Sequence, residues 1–132
     1  MTTFTLEEAE ALLPKVRETL LRMRHVKAQI DELRGELGEV AGRATGNGHV
    51  VDADAMAEKR RRAESLVDLL NQDLARMQEW GVEVKSVDEG LVDFPSEREG
   101  RIVYLCWRLG EDHIGWWHET WTGFAGRQPL EP

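Results

Sequence analysis

The spacing of apolar residues changes once along this chain, at Gly81, and that change limits what the chain can fold into. Before it, apolar residues recur in steps of three and four; after it, they alternate. Helices first and strands afterwards predict an α+β domain: a long antiparallel α-hairpin over 1–80, packed on a small antiparallel β-meander with a C-terminal tail over 81–132. At 132 residues the chain is long enough for one domain with one hydrophobic core.

Thr5-Leu6-Glu7-Glu8 is a capping box that opens the first helix, and Phe4 is placed to staple onto Ala9. Pro14 lacks an N–H and crowds the preceding turn, so the pattern predicts a short helix over Leu6–Leu12 and a fresh start near Pro14, with one kinked helix as the alternative. Val16, Leu20, Met23, Val26, Ile30, Leu33, Leu37 and Val40 then form a narrow seam. Gly35 and Gly38 weaken its far end, which is expected to stop near Ala41, before the glycine-rich breaker Gly42–Val50. Asp52 or Asp54 caps a second helix with a seam from Met56 to Trp80, and Gly81 closes it. Two helices joined by a short connection make a hairpin whose seam needs a third partner.

Beyond Gly81, Val82, Val84 and Val87 mark a weak strand, and Gly90–Pro95 a short one closed by its proline. Ser96–Gly100 reads as a polar turn, Ile102–Leu109 as the strongest strand and Ile114–Thr120 as the next. Gly110-Glu111-Asp112 joins the last two as a hairpin.

The net charge of −8 argues against nucleic acid as a partner, since phosphates call for a basic surface, and the run Lys59–Arg62 is flanked by Glu58 and Glu64. No apolar run approaches the roughly 18 residues that span a bilayer. The N-terminus lacks the pattern of a signal peptide, so the cytoplasm is the expected location. One cysteine cannot staple the fold internally.

Chemistry concentrates in Gly100–Arg127, which holds four of the five tryptophans, the only cysteine and two of the four histidines. Cys106, His113, His118, Glu111, Glu119 and Asp93 are candidate ligands: thiolate, imidazole and carboxylate together suit a divalent metal such as zinc or iron. Loop parity decides which histidine meets the thiol. An even-numbered loop puts Cys106 opposite Gly115, on one sheet face with Tyr104, His113, Trp117 and Glu119; an odd one places it diagonal to His118. The plainer reading makes Cys106 a small core residue and the histidines packing residues. Asp93, in an apolar strand, is expected at the solvent face or paired with Arg101, Arg108 or Arg127. His25 and His49 read as solvated.

Trp107 shares a face with Val103, Leu105 and Leu109 and belongs to the core. Trp116 and Trp117 must point to opposite faces, so one of them needs cover from the tail, a second subunit or a ligand. Trp116, Trp117, Trp121, Phe124 and Arg127 are therefore candidate interface or ligand residues. The favoured functional reading is a non-enzymatic self-associating or protein-interaction module, a homodimer before other oligomers; the alternative is a metal- or small-ligand-binding protein, or an enzyme, centred on Cys106.

Leu6-Glu7-Glu8-Ala9 with Leu12-Leu13-Pro14, Gly90-Leu91-Val92-Asp93-Phe94-Pro95, Tyr104-Leu105-Cys106-Trp107, Leu109-Gly110-Glu111, Trp117-His118 and Gly123–Pro129 together resemble the blocks of an uncharacterised bacterial family, domain of unknown function 2203. The resemblance covers nearly the whole chain. It implies a bacterial, cytoplasmic setting and supplies no activity or known cofactor.

Overall fold

The structure, a computed structural model, describes residues 2–47 and 52–130, with the backbone alone at 39–47. Helix α1 spans Leu6–Asn47 and α2 spans Ala53–Trp80. The capping box closes both ways, Glu8 N–H donating to Thr5 Oγ1 and Thr5 N–H to the Glu8 carboxylate. Asp52 is the N-cap of α2, accepting from Ala55 N–H, and Gly81 ends it in the left-handed region at φ 88°.

Two expected breaks are absent. Pro14 lies inside α1, which runs through it as one helix rather than starting anew there. Pro14 faces solvent, while Leu13 and Val16 on either side are buried, so packing of the face it does not occupy outweighs one missing hydrogen bond. Likewise α1 does not stop near Ala41 but continues through Gly42 to Asn47. An added Cβ at Gly35 or Gly38 meets nothing within 4 Å, so both sit on an open face with no packing to lose. His49 and the last part of the expected breaker lie outside the described residues.

The helices are antiparallel, as the ion pairs Arg22–Asp73 and Lys59–Glu36 show by joining opposite ends of the two sequences. Asp73 is buried and takes a two-pronged bond from Arg22, at 2.9 and 2.8 Å, plus a third from Arg76. The pair clamps the hairpin near the sheet. Among the described residues no helix is long and apolar enough to cross a membrane.

The second half is a five-stranded antiparallel meander in the order β1 (Glu83–Ser86), β2 (Leu91–Arg98), β3 (Arg101–Arg108), β4 (Trp116–Glu119) and β5 (Gln128–Pro129). Pro95 does not close its strand, and 96–98 are strand rather than turn. The Pro95 carbonyl accepts from Phe4 N–H, so the edge of Pro95 that lacks a donor faces the N-terminal segment, beyond the end of β1, and the β3 ladder is spared. The turn shrinks to Glu99-Gly100, whose φ values of 52° and 80° are both positive, the geometry that matches strand twist in two-residue hairpins.

The pleat divides the sheet into two faces. Val92, Phe94, Val103, Leu105, Trp107 and Trp117 face the hairpin and share its core with Ala9, Leu13, Val16, Leu20 and Met23 of α1 and Met77 of α2. The sheet is the third partner that the helical seam requires. Trp107 is wholly buried, as its alternation predicts, and its indole N–H donates to the Glu111 carbonyl.

Gly35→Ala and Gly38→Ala are each expected to stabilise the protein by up to about 1 kcal/mol, the helix-propensity difference at an open site. Gly90→Ala has the opposite sign: φ is 66° and the new Cβ would stand 2.5 Å from Leu109 Cβ, so the loss exceeds about 1 kcal/mol. Urea unfolding followed by the helical circular dichroism signal measures both.

Candidate metal centre

The outer face of the sheet, turned away from the helices, carries the polar chemistry. Register places it there. Asp93 on β2 pairs with Cys106 on β3, Cys106 pairs with Trp116 on β4, and Tyr104 pairs with His118. This is the slipped register of the two that the sequence allows, so His118 rather than His113 lies diagonal to the thiol. The connection is longer than a tight Gly110–Asp112 loop, because β4 begins only at Trp116.

Asp93, Cys106 and His118 converge. One ligand atom from each, carboxylate oxygen, Sγ and ring nitrogen, lies within 4.8 Å of the other two, and all three residues are buried. Among the described residues Asp93 pairs with no arginine; its Oδ1 lies 3.0 Å from His118 Nε2. The other ring nitrogen, Nδ1, lies 2.7 Å from the Glu119 carbonyl oxygen. A carbonyl only accepts, so Nδ1 carries a proton, and Nε2 is left facing a carboxyl oxygen. One further proton must sit between Nε2 and Oδ1, held as imidazolium with carboxylate or as imidazole with carboxylic acid. Either way the pair has no net charge, which makes its burial tolerable.

The environment keeps the thiol neutral. Burial first, then the neighbouring Asp93 carboxylate, push Cys106 up to about 12, against the opposing pull of the Arg127 guanidinium. Burial likewise raises the Asp93 carboxyl above its ordinary range, with the His118 ring beside it drawing it back. A buried thiol with this bias is a weak nucleophile in the metal-free protein.

Cover comes from the sheet and the tail. The Tyr104 ring lies 5.4 Å from the His118 ring, and the Tyr104 hydroxyl donates to Glu83. Arg127, set by a 3-10 turn at Phe124–Gly126, stacks on Phe124 and Trp116 with its guanidinium carbon 4.5 and 5.2 Å from the ring centres. Its Nη2 bonds the Glu111 carboxylate at 2.6 Å and reaches the Cys106 carbonyl at 3.4 Å. Leu130 packs onto the core, so the tail wraps the sheet edge.

The other expected ligands stand elsewhere. His113 is exposed and lies 3.9 Å from Glu10. Glu111 is taken up by Arg127 and by the Arg108 N–H, and Glu119 by a double bond-pair from Arg101 that holds its carboxyl below the usual range. Glu119 still contributes through its backbone, which aims the His118 ring. Of the aromatic candidates, Trp117 is covered by its own chain, while Trp116, Phe124 and above all Trp121, at 76% exposure, stay at the surface. Of the candidate carboxylates it is Asp93, and neither Glu111 nor Glu119, that stands with the thiol and the imidazole. Its signal in sequence was a carboxylate inside a strand of otherwise apolar residues, a position that demands a partner.

No curated protein and no solved structure matches the chain. A family profile does match, over residues 2–130, and it takes in both the helical hairpin and every strand that builds the Asp93–Cys106–His118 cluster. By that match the chain belongs to the family described as Uncharacterized conserved protein (DUF2203).

Proposed function

We propose that the protein binds one divalent metal ion of borderline softness, zinc or ferrous iron, through the Asp93 carboxylate, the Cys106 sulfur and His118 Nε2. The observation that carries this reading is the convergence of oxygen, sulfur and nitrogen donors within 4.8 Å of one another, inside the protein. That donor set is the one zinc and iron sites use, and three protein ligands leave one tetrahedral position open. His118 is already oriented as a ligand, with Nδ1 committed to a backbone carbonyl and Nε2 turned toward the other two donors. Charge supports the same assignment: with the thiol proton and the shared Asp93–His118 proton displaced, one thiolate and one carboxylate balance a dication. Arg127 does not upset that balance, because Glu111 neutralises it.

Protein purified without a histidine tag is expected to bind one equivalent of zinc or cobalt, with a sulfur-to-cobalt charge-transfer band reporting the Cys106 bond. Cys106→Ser and His118→Ala should each weaken binding by more than the roughly 10–100-fold typical of an outer-shell partner, while His113→Ala leaves it unchanged. Zinc at 100 times its dissociation constant should stabilise the fold by about 2.7 kcal/mol. Failure of the unmutated protein to bind either metal, or binding that survives both ligand substitutions, refutes the assignment.

The thiol sets the pH dependence. Its folded value of about 12 lies above the ordinary 9.0, so in the metal-free protein Cys106 contributes stability that is full below pH 9 and disappears as pH rises toward 12. Zinc affinity should move the other way and strengthen as pH rises, because binding displaces that proton. Chemical unfolding of the parent and of Cys106→Ala between pH 7 and 11, with parallel zinc titrations, checks both signs.

A further inference from the structure

We infer that two copies of this chain associate through the part of the helical hairpin that lies beyond the sheet, antiparallel to one another about a two-fold axis close to Ala63. The sheet covers only the near end of the hairpin: the core it shares with α1 runs from Ala9 to Met23. Further out, Leu33, Leu37, Leu66 and Val67 are only half-buried although they continue the seam. One side of this outer part is an open groove with Leu37, Ala63 and Val67 as its apolar floor. Arg34 and Arg60 rim it, and so do Glu64 and Asp68.

The order of these charges along the hairpin identifies the occupant. The pair Lys59–Glu36 fixes the level of one helix against the other, which puts Arg34 beside Arg60 on the tip side of Ala63. Glu64 and Asp68 lie on the sheet side. A two-fold axis at Ala63 therefore lays the two arginines of each copy on the two carboxylates of the other. Such a surface is self-complementary, as an isologous contact requires. The parallel alternative sets arginine on arginine and carboxylate on carboxylate, which is repulsive throughout. Within one chain the pattern is only partly balanced, since Glu64 has Arg60 one turn before it and the like charge Asp68 one turn after it. The second copy relieves that repulsion, and does so in the face of a net charge of −8 on each chain. The ion pairs nearby, Lys59–Glu36 across the hairpin and Arg61–Glu58 within α2, use other side chains. Ala63, small and central, lets the helices approach to four-helix-bundle spacing.

The test is a charge swap read by light scattering and sedimentation, with helicity checked by circular dichroism. The unmutated protein is expected to be a dimer that loosens as salt rises. Arg34→Glu with Arg60→Glu should raise the dissociation constant at least about 100-fold, and so should Glu64→Arg with Asp68→Arg. Mixing the two double variants should restore a dimer, now mixed, because one presents four carboxylates and the other four arginines. Dimerisation should be the same in Cys106→Ser protein, which separates this contact from the metal centre. The inference is overturned if the unmutated protein stays monomeric at its highest soluble concentration. It is also overturned if both double variants remain dimers, if the mixture stays monomeric, or if Trp121→Ser rather than the charge reversals dissolves the dimer.

Discussion

The pairing of Cys106 with Trp116 is the constraint on which the rest of the molecule depends. It is held by bulk and by bonds. In this register Trp117 falls on the helix side beside Leu105, where a large ring fills the core, and His118 falls on the outer side beside Tyr104. A slip of one residue would exchange them, pushing an indole into the outer layer and an imidazole among Val103, Leu105 and the α1 stripe. Arg101 grips Glu119 at the end of β4, and the Trp107 indole grips the Glu111 carbonyl in the connection that leads into it. These bonds reinforce a choice that ring burial makes first, since an apolar ring left outside and a polar ring left unpaired each cost a few kcal/mol.

The same pleat explains how one short sheet serves two purposes. Along β3, Val103, Leu105 and Trp107 build the core, while Tyr104 and Cys106 between them build the outer cluster. A strand with only one covered face would show polar residues at every second position. Here Asp93, Cys106 and His118 are polar or ionisable and yet buried, which departs from that rule. Such a cluster adds little to stability, because a buried ion pair barely offsets its own desolvation. An apolar trio would fold at least as well. That imbalance favours a use for the cluster other than holding the sheet together.

Much of the scaffold was legible in the residues, and the reasons are local. The Thr5–Glu8 box, the Asp52 cap and the Gly81 stop each act within one turn of helix, so a short window of sequence contains the whole cause. The errors share a different origin. Pro14 and the glycines of the outer hairpin weaken a helix locally, but burial of the face opposite Pro14 comes from sheet residues far along the chain, Val92 to Trp117. Pro95 looks like a terminator until the Phe4 contact shows which edge of it lacks the donor. The site was half legible for the same reason. Cys106 and His118 stand out by residue type, and the alternating pattern narrows their geometry to two registers. Choosing between these needs the length of the 109–115 connection and the destination of Trp117, neither of which any local window contains. Asp93 joins them only across a strand pair, and its residue type alone suggested the solvent face or an arginine.

Both proposed surfaces also fit one arrangement without competing. The outer face of the sheet lies on the opposite side from the helices, so a contact between hairpins leaves the Asp93–Cys106–His118 cluster untouched and contributes no residue to it. An antiparallel pair sends the two sheets to opposite ends of a four-helix core, with α1 alone roughly 63 Å long at about 1.5 Å per residue. Each cluster then keeps its own cover of Tyr104, Trp116 and the Arg127 tail, and the exposed Trp121, just past the end of β4, stays outside the dimer contact. In that arrangement the hairpin is what brings two copies together, and the sheet is where each copy carries its own chemistry.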